Sequence, residues 1–271
     1  MRLTTLTTAL LALAGLACLP GCMIVAGNDS SLADSMSGPS ETRTLTVPHV
    51  AGSRLDVRTR NGSVEVRQGG TDDVQVTATI RARNQERLSK TLFTVKRDAE
   101  GTLQVRVEWP DGPKSNEGAS IVVVTPSVPK VSAVSSNGDL LIEADSTHVD
   151  AESSNGNIVV RAPRAVVTAT SSNGRVHLEG VASADVSTSN AGVTVALAPD
   201  ATGPLAIRTS NGPVNIDVGP TFAGMLRAST SNAATSVGVG RAVARDGGFD
   251  FGPGTPSVVR TSNAPIRVRG S

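Results

Sequence analysis

Apolar and polar positions along the chain keep step with one recurring signal. Asn137, Asn155, Asn173, Asn190, Asn211, Asn232 and Asn263 each follow a Ser, and Asn61 follows Arg60. The last seven are 18, 18, 17, 21, 21 and 31 residues apart, a period that points to a solenoid. Aligned on the Asn, the residue two before it is always Ser or Thr, from Thr59 and Ser135 to Thr230 and Thr261. Four before it come Val57, Ala133, Ala151, Ala169, Val186, Ile207, Ala228 and Val259; five after it come Val66, Ile142, Val160, Leu178, Val195, Ile216, Val237 and Val268. Ser115-Asn116 fails the template, with Pro110 and Lys114 at the inward positions, and reads as a loop.

Even offsets face inward before the Asn and odd offsets after it. Side chains alternate with period two along a strand, so the phase slips at the Asn, and two short strands meet there at a corner. The next residue is Gly62, Gly138, Gly156, Gly174 or Gly212 in five copies and Ala191, Ala233 or Ala264 in three. If the corner needs a left-handed residue, Asn is the better candidate in the Ala copies. Turns stacked about 4.8 Å apart place like residues over one another, so the Asn amides are expected to form a ladder and the Ser/Thr hydroxyls to be satisfied similarly.

The expected fold is all-β: a β-solenoid (β-helix) with 17–21-residue turns over 129–271, preceded by a less regular β-rich part over 44–128. Strand-like runs there are Thr44–Val47, Val74–Arg81, Leu92–Lys96, Leu103–Trp109 and Ile121–Thr125, with a short helical turn within Asn84–Thr91. The segment Asp246–Gly254 reads as a projecting loop, and Arg267 and Arg269 as guards of a terminal strand edge.

The opening of the chain reads differently. Arg2 precedes an apolar run from Leu6 to Leu19 that is too short to span a bilayer, ending Leu19-Pro20-Gly21-Cys22. This resembles the bacterial lipobox, so residues 1–21 are read as a lipoprotein signal peptide and Cys22 as the lipidated residue. Cleavage before Cys22 leaves no second thiol and no disulfide framework. Met23 in place of Asp would let a Gram-negative cell export the protein to its outer membrane. The Ser-, Gly- and Asp-rich stretch 22–43 reads as a flexible tether.

Composition narrows the function. Only 2% of residues are aromatic, against 38% hydrophobic, which suits thin layers of β-branched side chains. Lys plus Arg total 25 and Asp plus Glu 24, and loss of Arg2 makes them equal. A neutral chain lacks the footprint of a nucleic-acid binder.

Leu55-Asp56-Val57, Asn61-Gly62-Ser63-Val64-Glu65-Val66 and Ile121–Pro126 leading into Ser136-Asn137-Gly138, together with the repeated turns, resemble the bacterial "putative adhesin" domain family over roughly 44–271. The resemblance implies a β-solenoid surface protein and brings no catalytic motif.

Candidate chemistry is sparse. His177 and Glu179 share an outward face without a third metal ligand, and His49 and His148 have no spacing that links them. Asp139, Asp150, Glu152 and Asp185 form a weak acidic stripe interrupted by Arg175, the best foothold for a carbohydrate-active β-helix enzyme. The scarcity of aromatic rings argues against sugar stacking. Outward Arg58, Arg208, Arg227, Arg260 and Arg267 are candidates for a basic stripe that binds an anionic polymer. The expectation is a non-catalytic envelope lipoprotein without cofactor or metal, binding an envelope polymer or surface protein; an envelope-stress or signalling component is the alternative.

Overall fold

The computed structural model describes residues 24–27, 38–70, 72–245 and 247–270. Cys22 and the signal peptide lie outside the described residues. The chain opens with β1 (Ile24–Gly27) and β2 (Ser40–Pro48), so residues 40–43, read as tether, are already strand. The first coil follows as β3 (Leu55–Arg58) and β4 (Val64–Gln68). Next come β5 (Asp73–Arg81), α1 (Gln85–Lys90), β6 (Leu92–Arg97), β7 (Leu103–Glu108) and β8 (Gly118–Thr125). Helix α1 begins at Asn84, whose Oδ1 accepts the Arg87 N–H at 2.9 Å.

Regular coils then succeed one another. They are β9 (Lys130–Ser135) with β10 (Leu140–Glu143), β11 (His148–Ser153) with β12 (Ile158–Arg161), and β13 (Val166–Ser171) with β14 (Val176–Val181). After them come β15 (Ser183–Thr188) with β16 (Val193–Leu197), β17 (Leu205–Arg208) with β18 (Val214–Val218), and β19 (Met225–Thr230) with β20 (Thr235–Gly238). The chain finishes with β21 (Val243–Arg245), β22 (Gly248–Asp250) and a last coil of β23 (Ser257–Thr261) and β24 (Ile266–Gly270).

Each coil contributes its strand before the Asn to one sheet (sheet B) and its strand after the Asn to another (sheet A), and among the described residues both sheets have 12 strands. Pairing between coils is parallel and in register: Val149 lies beside Val131 and Val167, and Ile158 beside Leu140 and Val176. The inward columns meet between the sheets. Val131, Val149 and Val167 are fully buried, as are Ile142, Ile158 and Val160. Such columns want side chains of even, moderate size, which explains where the few rings went. Phe222 and Phe251 pack edge to face at 5.0 Å in the final turns, with the Arg241 guanidinium 5.5 Å from the Phe251 ring.

Both ends depart from chain order. Coil β3–β4 lies between β7–β8 and β9–β10, and the last coil, β23–β24, is inserted between β17–β18 and β19–β20. Arg267 and Arg269 therefore do not guard an edge; β24 is flanked by β18 and β20. Nor do residues 247–254 of the expected loop simply project. Its β22 pairs antiparallel with β21 and with Met225–Leu226 of β19, covering part of the sheet B edge. At the other end, β2 and β5 extend sheet A with antiparallel pairing.

Candidate functional site

The eight Asn side chains form one continuous outward ladder. Asn137 Nδ2 donates to Asn61 Oδ1 at 2.5 Å, Asn155 to Asn137 at 2.6 Å, Asn173 to Asn155 and Asn190 to Asn173 at 2.7 Å. Asn211 donates to Asn190 at 2.9 Å, Asn263 to Asn211 at 2.8 Å and Asn232 to Asn263 at 2.6 Å. Every amide points the same way, and Asn61 Nδ2 ends the run on the Glu117 carbonyl at 2.8 Å. Beneath it runs a backbone rail. The Ser136 carbonyl accepts from both Ser154 N and Asn155 N, and the Ser154 carbonyl from Ser172 N and Asn173 N.

The hydroxyl column bonds to backbone rather than to itself. Ser153 Oγ accepts the Gly156 N–H at 2.9 Å and donates to the Gly138 carbonyl of the preceding coil at 3.1 Å. Thr188, in the copy followed by Ala191, is the exception: its buried Oγ1 has no partner.

The corner is not left-handed. The described non-glycine residues with positive φ are Asp111, Asn116 and Arg164, and none of the corner Gly or Asn residues joins them. In the five glycine copies the need is for room instead, whereas Ala191, Ala233 and Ala264 fill the same place in the other three. A Cβ on Gly156 would stand 2.0 Å from the Gly138 carbonyl oxygen, and one on Gly174 1.8 Å from that of Gly156.

The outer faces carry charge in columns. On sheet A, Arg67, Glu143, Arg161 and Glu179 alternate on neighbouring strands, and Arg161 contacts Glu143 at 2.5 Å and Glu179 at 3.1 Å. His177 stands 3.9 Å from Glu179 on the same face. The acidic residues singled out in the sequence are engaged separately. Asp150 pairs with Lys130 at 2.5 Å, Asp139 accepts the Asn157 N–H at 2.7 Å, and Asp185 lies 3.8 Å from Arg208. Arg58, Asp150, Glu152 and Thr170 share the wall of a shallow 210 Å³ depression on sheet B. No group of three or more His, Cys, Asp or Glu able to hold a metal occurs among the described residues.

The five arginines do not make one stripe. Arg208 and Arg260 are register neighbours and Arg227 is on the next strand, β19. Arg58 is separated from Arg208 by four strands and contacts Asp56 at 3.2 Å, while Arg267 belongs to the opposite sheet. The offsets from Asn carry this signal: three before for Arg58, Arg208 and Arg260, five before for Arg227, but four after for Arg267.

The capped head of the ladder holds a feature that sequence alone does not suggest. An open cavity of 510 Å³ is lined by Asn61, Thr79, Arg81, Asn116, Glu117 and Ser120 among others. At its floor the fully buried Glu117 carboxylate grips Arg87 at 2.5 and 2.8 Å and accepts from Arg83 N and Lys114 N. These bonds, that of Arg87 foremost, hold the Glu117 carboxyl down to about 2.

No protein-family model matches the chain, and no curated protein matches it. Solved structures of proteins described as adhesins are among its structural neighbours. A "putative adhesin" from Bacteroides fragilis is 13% identical, with 85% of this chain and 97% of that one covered and a TM-score of 0.39. A "putative cell adhesion protein" from Clostridium sporogenes is 9% identical, covering 86% and 100%, at 0.35. A "putative lipid binding protein" from Parabacteroides distasonis is 12% identical, covering 86% and 96%, at 0.37.

Proposed function

We propose that this chain is a cell-envelope lipoprotein, anchored through Cys22, whose β-solenoid binds an envelope polymer or surface protein without catalysis. The observation that carries the binding role is the hydrogen-bonded outward array. Coils about 4.8 Å apart repeat an outward amide at the corner and carry charged side chains on the outer faces of both sheets, which matches a partner that is itself extended or repetitive.

Two measurements test the role. Palmitate labelling of the full chain should be lost in Cys22→Ser; persistent labelling would sink the anchor. The full chain should be retained by isolated envelope material and released by salt, and Arg208→Glu with Arg260→Glu should weaken retention. Retention unchanged by both would remove the outward charges from the role.

A further inference from the structure

The two ends of the solenoid are finished differently. At the head, β7–β8 and the antiparallel strands close both sheets, and the ladder ends on a carbonyl. At the tail, β22 covers only Met225 and Leu226 of β19. Beyond the rest of that coil, from Arg227 through the Asn232 corner to Gly238, no further strand lies among the described residues.

The consequences are visible side chain by side chain. In the inserted coil the inward Val259 and Val268 are 0% and 1% exposed, whereas their counterparts Ala228 and Val237 in the end coil are only half-buried. Asn232 gives its amide to Asn263, and its own Oδ1 is the one acceptor in the column that receives no amide. Edge strand β20 exposes Ser236 and Gly238, so its outer surface there is low. An unpaired parallel edge, a half-covered apolar column and an open amide acceptor together form a template for one more coil.

Charge selects the occupant. Residues 129–200 carry four basic and eight acidic side chains, while residues 205–270 carry seven arginines and three aspartates. Arg227, Arg260, Arg267 and Arg269 are exposed, and none lies within 4 Å of a carboxylate among the described residues. Arg267 and Arg269 are the register partners of Ser236 and Gly238, short residues over which an arginine can reach the next strand. Arg269 shares its column with Asp217 on β18 and, farther along, with Arg161, which bridges glutamates on the strands to either side. A second copy meeting tail to tail would instead bring these arginines against their own kind.

We propose that the tail is a docking site for an acidic extended segment of a partner protein. The segment adds beside β20 as a further strand, with a donor on Asn232 Oδ1 and carboxylates over Ser236 and Gly238 that reach Arg267 and Arg269. This goes beyond the role proposed above and holds whether or not Cys22 is lipidated.

The test uses the full chain and a labelled peptide, Ile-Ser-Thr-Ser-Asn-Gly-Pro-Val-Glu-Val-Glu-Val, with a counterpart bearing Lys at both Glu positions. Fluorescence anisotropy should show the Glu peptide binding about tenfold or more tightly than the Lys peptide. Arg267→Glu with Arg269→Glu should reverse that preference, an outcome that unfolding cannot produce. Thr235→Pro, which leaves the Ile266 N–H to Ala234 carbonyl bond of 3.1 Å in place, should weaken the Glu peptide without changing the melting temperature by more than a few degrees. Equal binding of both peptides, or a preference untouched by the arginine reversals, would overturn the proposal. So would a stable dimer in sedimentation that excludes the peptide, since it would assign the edge to a second copy.

Discussion

Gly138 stacks on Gly62 so closely that a Cβ on the upper residue would stand 1.8 Å from the carbonyl oxygen of the lower one. The same relation recurs at Gly156, Gly174 and Gly212. Contact between backbones, not dihedral freedom, is therefore what the glycine corners demand. Gly156→Ala should cost about 1–3 kcal/mol as the coils are pushed apart. Gly70→Ala, where a new Cβ meets nothing within 4 Å, should be neutral within about 0.5 kcal/mol. Urea unfolding of the two variants decides it, and equal effects would exclude close stacking as the cause.

The ladder predicts an asymmetry between two substitutions of Asn173. Asn173→Ala removes the bonds to Asn155 and Asn190 and should cost about 1–2 kcal/mol, since both neighbours can turn to water. Asn173→Asp keeps an acceptor for Asn190 but sets a carboxylate oxygen against Asn155 Oδ1. It should be the worse variant at pH 7 and recover part of the loss below about pH 4, when the carboxyl regains a donor. Thermal melts at the two pH values would show the crossover.

Thr188 and Ser171 hold equivalent places with opposite expectations. Ser171 Oγ accepts from Gly174 N at 2.9 Å and donates to the Gly156 carbonyl at 3.3 Å, so Ser171→Ala should destabilise by about 1–3 kcal/mol. The Thr188 hydroxyl is buried and unpartnered, so Thr188→Val should be neutral or stabilising by about 1 kcal/mol. Denaturation midpoints moving in the same direction would refute the contrast.

Glu117 gives the fold a pH dependence. Its folded pKa of about 2 lies below the ordinary 4.5, so its contribution is complete above about pH 4.5 and is lost as the pH falls toward 2. The difference corresponds to about 3 kcal/mol. Glu117→Gln should lower stability at neutral pH and flatten the acid limb of the stability profile. A variant that keeps the acid limb would place its origin elsewhere.

Much of this architecture is legible in one sequence because a solenoid makes its own alignment. Each coil meets the same neighbours, so the inward Val and Ile columns, the Ser/Thr column and the Asn column stand out without homologues. The corner was harder to read. Gly after Asn suggests positive φ, but the restraint comes from the carbonyl of another coil, which no local pattern displays. The arginines failed as a single stripe for a related reason: Arg58 and Arg208 share an offset, yet four strands intervene.

Sequence alone determined the repeating unit, its two strands, its inward faces and its Asn corner, because these follow from alternation and period within about twenty residues. Only the tertiary structure decided the order in which coils stack at the ends. The insertion of β23–β24 beside β17–β18 depends on contacts some fifty residues apart, which the period within one coil does not display. That choice buries Arg267's strand inside sheet A, leaves Asn232 as the open end of the ladder, and gathers the unpaired arginines around an unfinished edge.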